Sequence, residues 1–190
     1  ILEMTKVFID GSYGTTGLRI HQRLQSRTDL ELISIPYEER HSESARRRAY
    51  EKADFVFMCL PDAAAKEAAP MAEACHTRVI DASTAHRTAE GWVYGFPEIS
   101  STETIEAAPL VANPGCHASG VNALIYPLIR NGILSPAQKL QCFSVTGYSG
   151  GGKKMIGEYE SDHRGTLLDA PRMYGLSQQH KHLPEITALN

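Results

Sequence analysis

Cys116, which follows Asn113-Pro114-Gly115 and precedes His117-Ala118-Ser119-Gly120, is placed to act as a nucleophile. The Pro-Gly pair forces a sharp turn after the apolar run Pro109 to Ala112. If a helix starts next, Cys116 stands at its positive end, where a thiolate is favoured. A second set of residues is Gly11-Ser12-Tyr13-Gly14-Thr15-Thr16-Gly17. Its glycines let the backbone approach a pyrophosphate, and the amides of the following helix face the negative charge. The spacing is GxxGxxG rather than GxGxxG, a looser pattern that purely structural turns also use. Its place directly after the first strand pattern favours the nucleotide reading. The third set is Tyr174-Gly175-Leu176-Ser177-Gln178-Gln179-His180-Lys181-His182-Leu183-Pro184-Glu185. Two histidines, a lysine and a glutamate close together supply a general acid or base beside a cation, which suits proton delivery to an oxyanion next to a bound anion. A solvated polar turn is the plain alternative. His180 and His182 form a His-x-His pair, but no further ligands stand at suitable spacing, so no metal is expected.

Cofactor choice is open on the residues alone. A carboxylate near the end of the second strand would pair with the ribose hydroxyls of NAD, whereas an arginine or hydroxyls suit the 2′-phosphate of NADP. Glu38, Glu39, Arg40 and Ser42 all fall there. Of the remaining cysteines, Cys59 and Cys142 lie in apolar, strand-like runs and read as core residues, and Cys75 ends a helix without an evident task. No CxxC pair occurs, so neither a zinc site nor a disulfide framework is expected.

The elements that must position these groups follow from periodicity. Thr5 to Asp10 reads as a strand, Thr16 to Leu24 as a helix, Leu30 to Ile35 as a strand and Ser42 to Lys52 as a polar helix. Asp54 to Leu60 is a buried-type strand, and an Ala-rich helix runs from Pro61-Asp62 to about Cys75, with Asp62 suited to its N-cap. Thr77 to Asp81 is the next strand. Residues 82 to 107 form a long connection, too long for an ordinary crossover and so of functional interest. Pro109 to Ala112 adds a strand, His117 to Ile129 an amphipathic helix, and Leu140 to Thr146 another strand leading to Gly147-Tyr148-Ser149-Gly150-Gly151-Gly152. Strands alternating with helices predict an α/β fold, a doubly wound Rossmann-like parallel sheet with right-handed crossovers. The domain boundary is expected close to Cys116, dividing residues 4–115 from residues 116–190.

The 190 residues, 42% hydrophobic and 22% charged with a formal net charge of -3, have an ordinary globular composition. Against roughly 150 residues per domain, that length leaves room for one domain and part of a second. Arg46-Arg47-Arg48 is a short basic cluster between Glu43 and Glu51, read as a solvated helix face, so no nucleic-acid partner is expected. The longest apolar run, Phe55 to Pro61, is far short of the roughly 20 residues that span a bilayer. With no signal peptide pattern ahead of the first strand, a cytoplasmic location is expected and no membrane partner. Ile1-Leu2-Glu3 precede Met4, which reads as a natural start. The end at Ile186-Thr187-Ala188-Leu189-Asn190 shows no closing helix or turn chemistry, and an incomplete chain is expected.

Along essentially its whole length the chain resembles the N-acetyl-gamma-glutamyl-phosphate reductases of arginine biosynthesis, in their shorter form. Asn113-Pro114-Gly115-Cys116 is the most specific match. Gly11 to Gly17, Asp81-Ala82-Ser83-Thr84-Ala85-His86-Arg87, Tyr94-Gly95-Phe96-Pro97-Glu98, Gly147 to Lys153 and His180 to Glu185 are similar to further signatures of that family. The resemblance implies NADP(H) as cofactor, an acyl-phosphate substrate with release of phosphate, and a homo-oligomer. It implies a second α+β catalytic and dimerisation domain, incomplete in this chain because family members are longer. Cys116 would be the nucleophile and His180 the acid/base. Gly11, Ser12, Tyr13, Gly14, Thr15, Thr16, Gly17, Arg40, Ser42, Pro61 and Ser83 would bind the cofactor. Asn113, Ser149, Gly150, Tyr174 and His182 would serve the substrate. Two other readings stand beside it: a related semialdehyde dehydrogenase for an aspartyl or aminoadipyl substrate, and an inactive NADP-binding fragment.

Overall fold

A computed structural model describes residues 4–173 and 175–190 and divides the chain into two compact units, Ile1–Ser119 and Gly120–Asn190. The first is built on six parallel strands, β1 (Thr5–Asp10), β2 (Leu30–Ile33), β3 (Phe55–Met58), β4 (Arg78–Asp81), β5 (Val93–Tyr94) and β6 (Leu110–Ala112), in the spatial order β2-β1-β3-β4-β6-β5. Strands covered on both faces need apolar side chains on both, and Val7, Phe8, Ile9, Val56, Met58, Val79 and Leu110 to Ala112 are buried accordingly.

The order reverses at β1, so right-handed crossovers put α1 (Thr15–Leu24) on one face and α2 (Glu43–Lys52) and α3 (Asp62–Ala74) on the other. On that second face Ala49, Tyr50, Ala65, Ala68 and Ala72 pack with Phe8, Val56, Met58 and Val79 in one core. The alanines keep α3 close to the sheet, and the single large ring of Tyr50 fills the space beside Phe8, edge to face at 5.7 Å.

The register sets up the chemistry. Asp10 lies beside Met58, Met58 beside Asp81, Asp81 beside Ala112 and Ala112 beside Tyr94. Five strands therefore end level, and the turns after them share one carboxyl edge, where ligands of such sheets bind.

Three expectations are corrected in this unit. The connection from 82 to 107, for which periodicity predicts no element, holds β5, α4 (Pro97–Ser100) and α5 (Thr102–Ala107). Two residues of strand are too few to show a period. Asp62 is the first residue of α3 rather than its N-cap, a place taken by Pro61. Its carboxylate instead accepts from the Thr84 amide at 2.9 Å and from the Thr84 hydroxyl. Cys59 follows β3 and is only half-buried.

The second unit holds the rest of α6 (Cys116–Arg130), then α7 (Gly152–Tyr159) and α8 (Leu183–Leu189). The strand expected at Leu140 to Thr146 is not formed, and Cys142 is exposed rather than core. A strand needs a neighbour for its backbone groups, and the described residues from 120 to 190 contain no other strand. Phe143 and Val145 are 98% and 100% exposed. The closing residues, expected without a helix, form α8: Pro184 sits in its first turn and the Ile186 amide donates to the His182 carbonyl at 3.0 Å. No helix among the described residues is long and apolar enough to cross a membrane.

Candidate active site

The first turn is built by close approach. Gly11 takes φ +85°, and a methyl there would stand 2.4 Å from the Cys59 carbonyl oxygen; a methyl on Gly17 would stand 2.3 Å from the Gly11 oxygen. Only glycine lets the two chain ends at β1 and β3 meet in this way, which leaves Ser12, Tyr13 and Gly14 at the mouth with Thr15 and Thr16 opening α1. Pro61 follows β3 at the same edge. The Tyr13 ring meets Tyr37 edge to face at 4.9 Å, and the Arg40 guanidinium lies over the other ring of that pair, 3.7 Å from the Tyr37 centroid. Arg40 is fixed there by donating to the Tyr37 carbonyl at 2.7 Å, whereas Glu39 turns to Arg48 at 3.6 Å. Ser42 caps α2, its hydroxyl accepting from the Ala45 amide at 3.4 Å.

Beneath this turn Asp10 is buried at 2% exposure and is matched by Arg46, whose Nη2 lies 2.6 Å from Oδ2, and by the Tyr50 hydroxyl, which donates at 2.8 Å. The guanidinium neutralises a carboxylate that would otherwise repel an anion at the same edge. Burial, and then the Asp10 carboxylate, push the Tyr50 phenol far above its ordinary range.

The Cys59 thiol is pushed up to about 12 by burial first and then by the charges of Asp10 and Asp81. A thiol raised in the folded state contributes stability that is complete below its ordinary value near 9 and is lost as pH climbs toward 12. At neutral pH iodoacetamide is accordingly expected to alkylate the exposed Cys116 while Cys59 stays unmodified until the chain is unfolded, read by peptide mass spectrometry. Equal rates at the two thiols in the folded protein would contradict this assignment.

The turn that carries Cys116 follows β6. Cys116 is the first residue of α6, and the Gly115 carbonyl receives the Ser119 amide and hydroxyl at 2.8 and 2.9 Å. Asn113 is held on both sides: its amide donates to the Asp81 carbonyl at 2.8 Å, and its carbonyl accepts from Arg87 Nε at 2.9 Å. Gly95 lies against β6, its amide donating to the Ala112 carbonyl at 2.9 Å. Ser83, expected at the cofactor, is buried, and its hydroxyl donates to Asp81 Oδ2 at 2.7 Å. Arg87 was not among the residues expected to act. The signal was present in the segment Asp81 to Arg87, but its pairing with Asn113, 26 residues on, is a tertiary contact that spacing does not reveal.

In the second unit Ser149 and Gly150 lie in a single 3-10 turn, Tyr148–Gly151, ahead of α7. The Tyr148 ring stacks on Tyr159 at 4.8 Å and its hydroxyl donates to Glu160 at 3.1 Å, which fixes this loop from below. His182 is buried at the start of α8. Its amide donates to His180 Nδ1 at 3.2 Å, so a neutral His180 ring carries its hydrogen on Nε2. Tyr174, expected near the substrate, lies outside the described residues. The described residues contain no group of three or more His, Cys, Asp or Glu that could hold a metal ion.

Two family models match in order along the chain: the semialdehyde dehydrogenase NAD binding domain over residues 6–108 and the semialdehyde dehydrogenase dimerisation domain over residues 116–189. Among curated relatives, N-acetyl-gamma-glutamyl-phosphate reductase of Chelativorans sp. (strain BNC1) is 49% identical over 185 residues, covering 95% of this chain and 58% of that protein. The reductase of the same name from Rhizobium meliloti (strain 1021) is 46% identical over 185 residues, covering 95% and 60%. The chain thus spans less than two thirds of the length of these relatives. Among solved structures, aspartate semialdehyde dehydrogenase II from Vibrio cholerae aligns over 98% of this chain and 66% of that one, with a TM-score of 0.65 at 15% identity. Aspartate semialdehyde dehydrogenase from Francisella tularensis aligns over 87% and 53%, with a TM-score of 0.58 at 14% identity. At such identities these two likenesses speak for the fold alone. The level strand ends, the glycine turn at the β1 reversal and the ordered pair of domain matches together place the chain in the semialdehyde dehydrogenase family.

Proposed function

We propose that the chain carries the cofactor domain and the nucleophile of an NADP-dependent N-acetyl-gamma-glutamyl-phosphate reductase, which converts N-acetyl-glutamyl 5-phosphate to the 5-semialdehyde in arginine biosynthesis. The observation that carries this reading is the Asn113–Cys116 turn, set on the sheet's carboxyl edge with Arg87 fastened to it. The names of the relatives give the substrate.

Cys116, as thiolate, attacks the acyl carbon. A carbon–sulfur bond forms, the bond to the phosphate oxygen breaks, and Arg87 is the cation at hand for the departing phosphate. When bound, NADPH supplies the hydride that reduces the Cys116 thioester. Breaking the carbon–sulfur bond then frees the aldehyde and returns the thiolate. By the family resemblance His180 is the candidate acid/base for the oxyanion and His182, Ser149, Gly150 and Tyr174 are candidate substrate residues, with Asn113 orienting the cysteine turn. Glycines at 11 and 17, where any Cβ would collide with backbone, fit a pyrophosphate over Ser12 to Thr16, with Pro61 and Ser83 at the same edge. Arg40, stacked on Tyr37 while Glu39 pairs with Arg48, favours a 2′-phosphate, with Ser42 at the start of α2. The dimerisation domain match supports a homo-oligomer, and four unpaired thiols suit the reducing cytoplasm.

The test is NADP reduction, with inorganic phosphate, by N-acetylglutamate 5-semialdehyde against aspartate semialdehyde and aminoadipate semialdehyde. It is run on the chain and on the chain extended to its relatives' length. The first substrate is expected to lead by about 100-fold in kcat/KM, the scale that buried polar contacts to the acetyl group supply. A lead by either of the others overturns the substrate assignment.

A further inference from the structure

The end of β4 and the loop after it carry a buried polar cluster in which Asp81 and His86 have no part in the mechanism above. Asp81 is fully buried at the level end of the strand and accepts from the Ser83 amide at 2.8 Å, the Ser83 hydroxyl at 2.7 Å and His86 Nδ1 at 2.6 Å. A carboxylate can only accept, so Nδ1 of His86 carries the hydrogen. The imidazole is 7% exposed and lies flat on the Trp92 ring, centroids 4.1 Å apart and planes 8° from parallel. Trp92 in turn packs on the core. The ring of His86 is thus fixed in direction by Asp81 and in height by Trp92, which leaves its backbone little freedom. The next residue is Arg87, whose Nε donates to the carbonyl of Asn113, and the Asn113 amide returns to the Asp81 carbonyl. The path closes on itself: Asp81, His86, Arg87, Asn113, Asp81.

We propose that His86 is a positioning residue, its imidazole clamped between the Asp81 carboxylate and Trp92 so that Arg87 is held on the Asn113 carbonyl, three residues before Cys116, as the anion-binding group of that turn. The inference rests on the phosphate-releasing reading of that turn. Two features argue that the clamp serves Arg87 rather than the fold in general. Thr84 is already anchored by Asp62, so the front of the loop is fixed without His86. Asp81 also keeps two donors from Ser83 when His86 is removed.

The experiment uses inorganic phosphate as the probe and the rate of iodoacetamide alkylation at Cys116 as the readout, which needs no turnover. In the unsubstituted chain phosphate is expected to slow alkylation, and Arg87→Ala to abolish that protection. His86→Phe keeps a flat ring for Trp92 but loses the bond to Asp81. It is expected to raise the phosphate concentration for half-protection by about 10-fold, the scale of a misplaced binding group. His86→Asn, whose amide can donate to Asp81 as Nδ1 does, is expected to recover most of it. Continued protection of Cys59 in every variant confirms that the sheet stays folded. If Arg87→Ala abolishes protection while His86→Phe leaves the half-protection point unchanged, the clamp is refuted. If phosphate does not protect the unsubstituted chain at all, the anion site falls and the inference with it. Protection without phosphate-dependent NADP reduction by the semialdehyde would sink the proposed reaction and leave the clamp standing.

Discussion

Replacing Cys116 by serine is expected to lower phosphate-dependent NADP reduction by roughly 10⁴-fold, the scale on which removal of a covalent nucleophile acts. Serine fits the space, because the residue is exposed at the first position of α6 and the turn is held by bonds from Asn113 and Gly115 rather than by the sulfur. Thermal stability and NADP affinity are therefore expected to stay close to those of the unsubstituted chain. That combination separates chemistry from folding. A serine variant that retains phosphate-dependent reduction would remove the thioester, and with it the mechanism.

The second large effect is predicted in the glycine turn after β1. In Gly17→Ala the new methyl would lie 2.3 Å from the Gly11 oxygen, 2.8 Å from the Ser12 Cα and 2.9 Å from the Gly11 carbonyl carbon. All three are backbone atoms, so no side chain can swing aside and the turn itself must open. A destabilisation of about 3 kcal/mol is expected, of the size seen for forced overpacking. NADP affinity should fall with it, because the same backbone would line the pyrophosphate. Gly120→Ala is the control. That glycine also lies in a helix, but a Cβ there meets nothing within 4 Å, so a gain of about 0.5–1 kcal/mol is expected from the stiffer chain. Urea midpoints of the two variants, with NADP titration of each, decide the matter. A Gly17→Ala protein as stable as Gly120→Ala would show that the turn is looser than its contacts imply.

The sheet was largely legible in the sequence because strands buried on both faces read as near-continuous apolar runs. β1, β3, β4 and β6 are such runs, and the helices between them carry the 3.6-residue period. β5, two residues long at the edge beyond β6, has too little length to show any period. Leu140 to Thr146 failed for the opposite reason. Its residues favour a strand, but strand propensity is the propensity to fit a half-buried surface, and no second strand is described beside it. The candidate site divided in the same way. Turn chemistry pointed to Gly11, Gly17 and Cys116, since glycine spacing and a Pro-Gly pair are local signals. The ties of Arg46 to Asp10, 36 residues back, and of Arg87 to Asn113 are made by the closing of the sheet and leave no trace in spacing.

The bare segment from Leu140 to Val145 has a bearing on how this chain behaves in concentrated solution. It is uncharged, rich in β-forming side chains and free of proline, and its Phe143 and Val145 side chains project almost wholly into water. A segment of this composition pairs readily with an extended neighbour, so a second molecule can line up along it and present the same segment to a third. Self-association of this kind rises with concentration, and a single charged residue at Val145 is the economical way to interrupt it without touching either the glycine turn after β1 or Cys116.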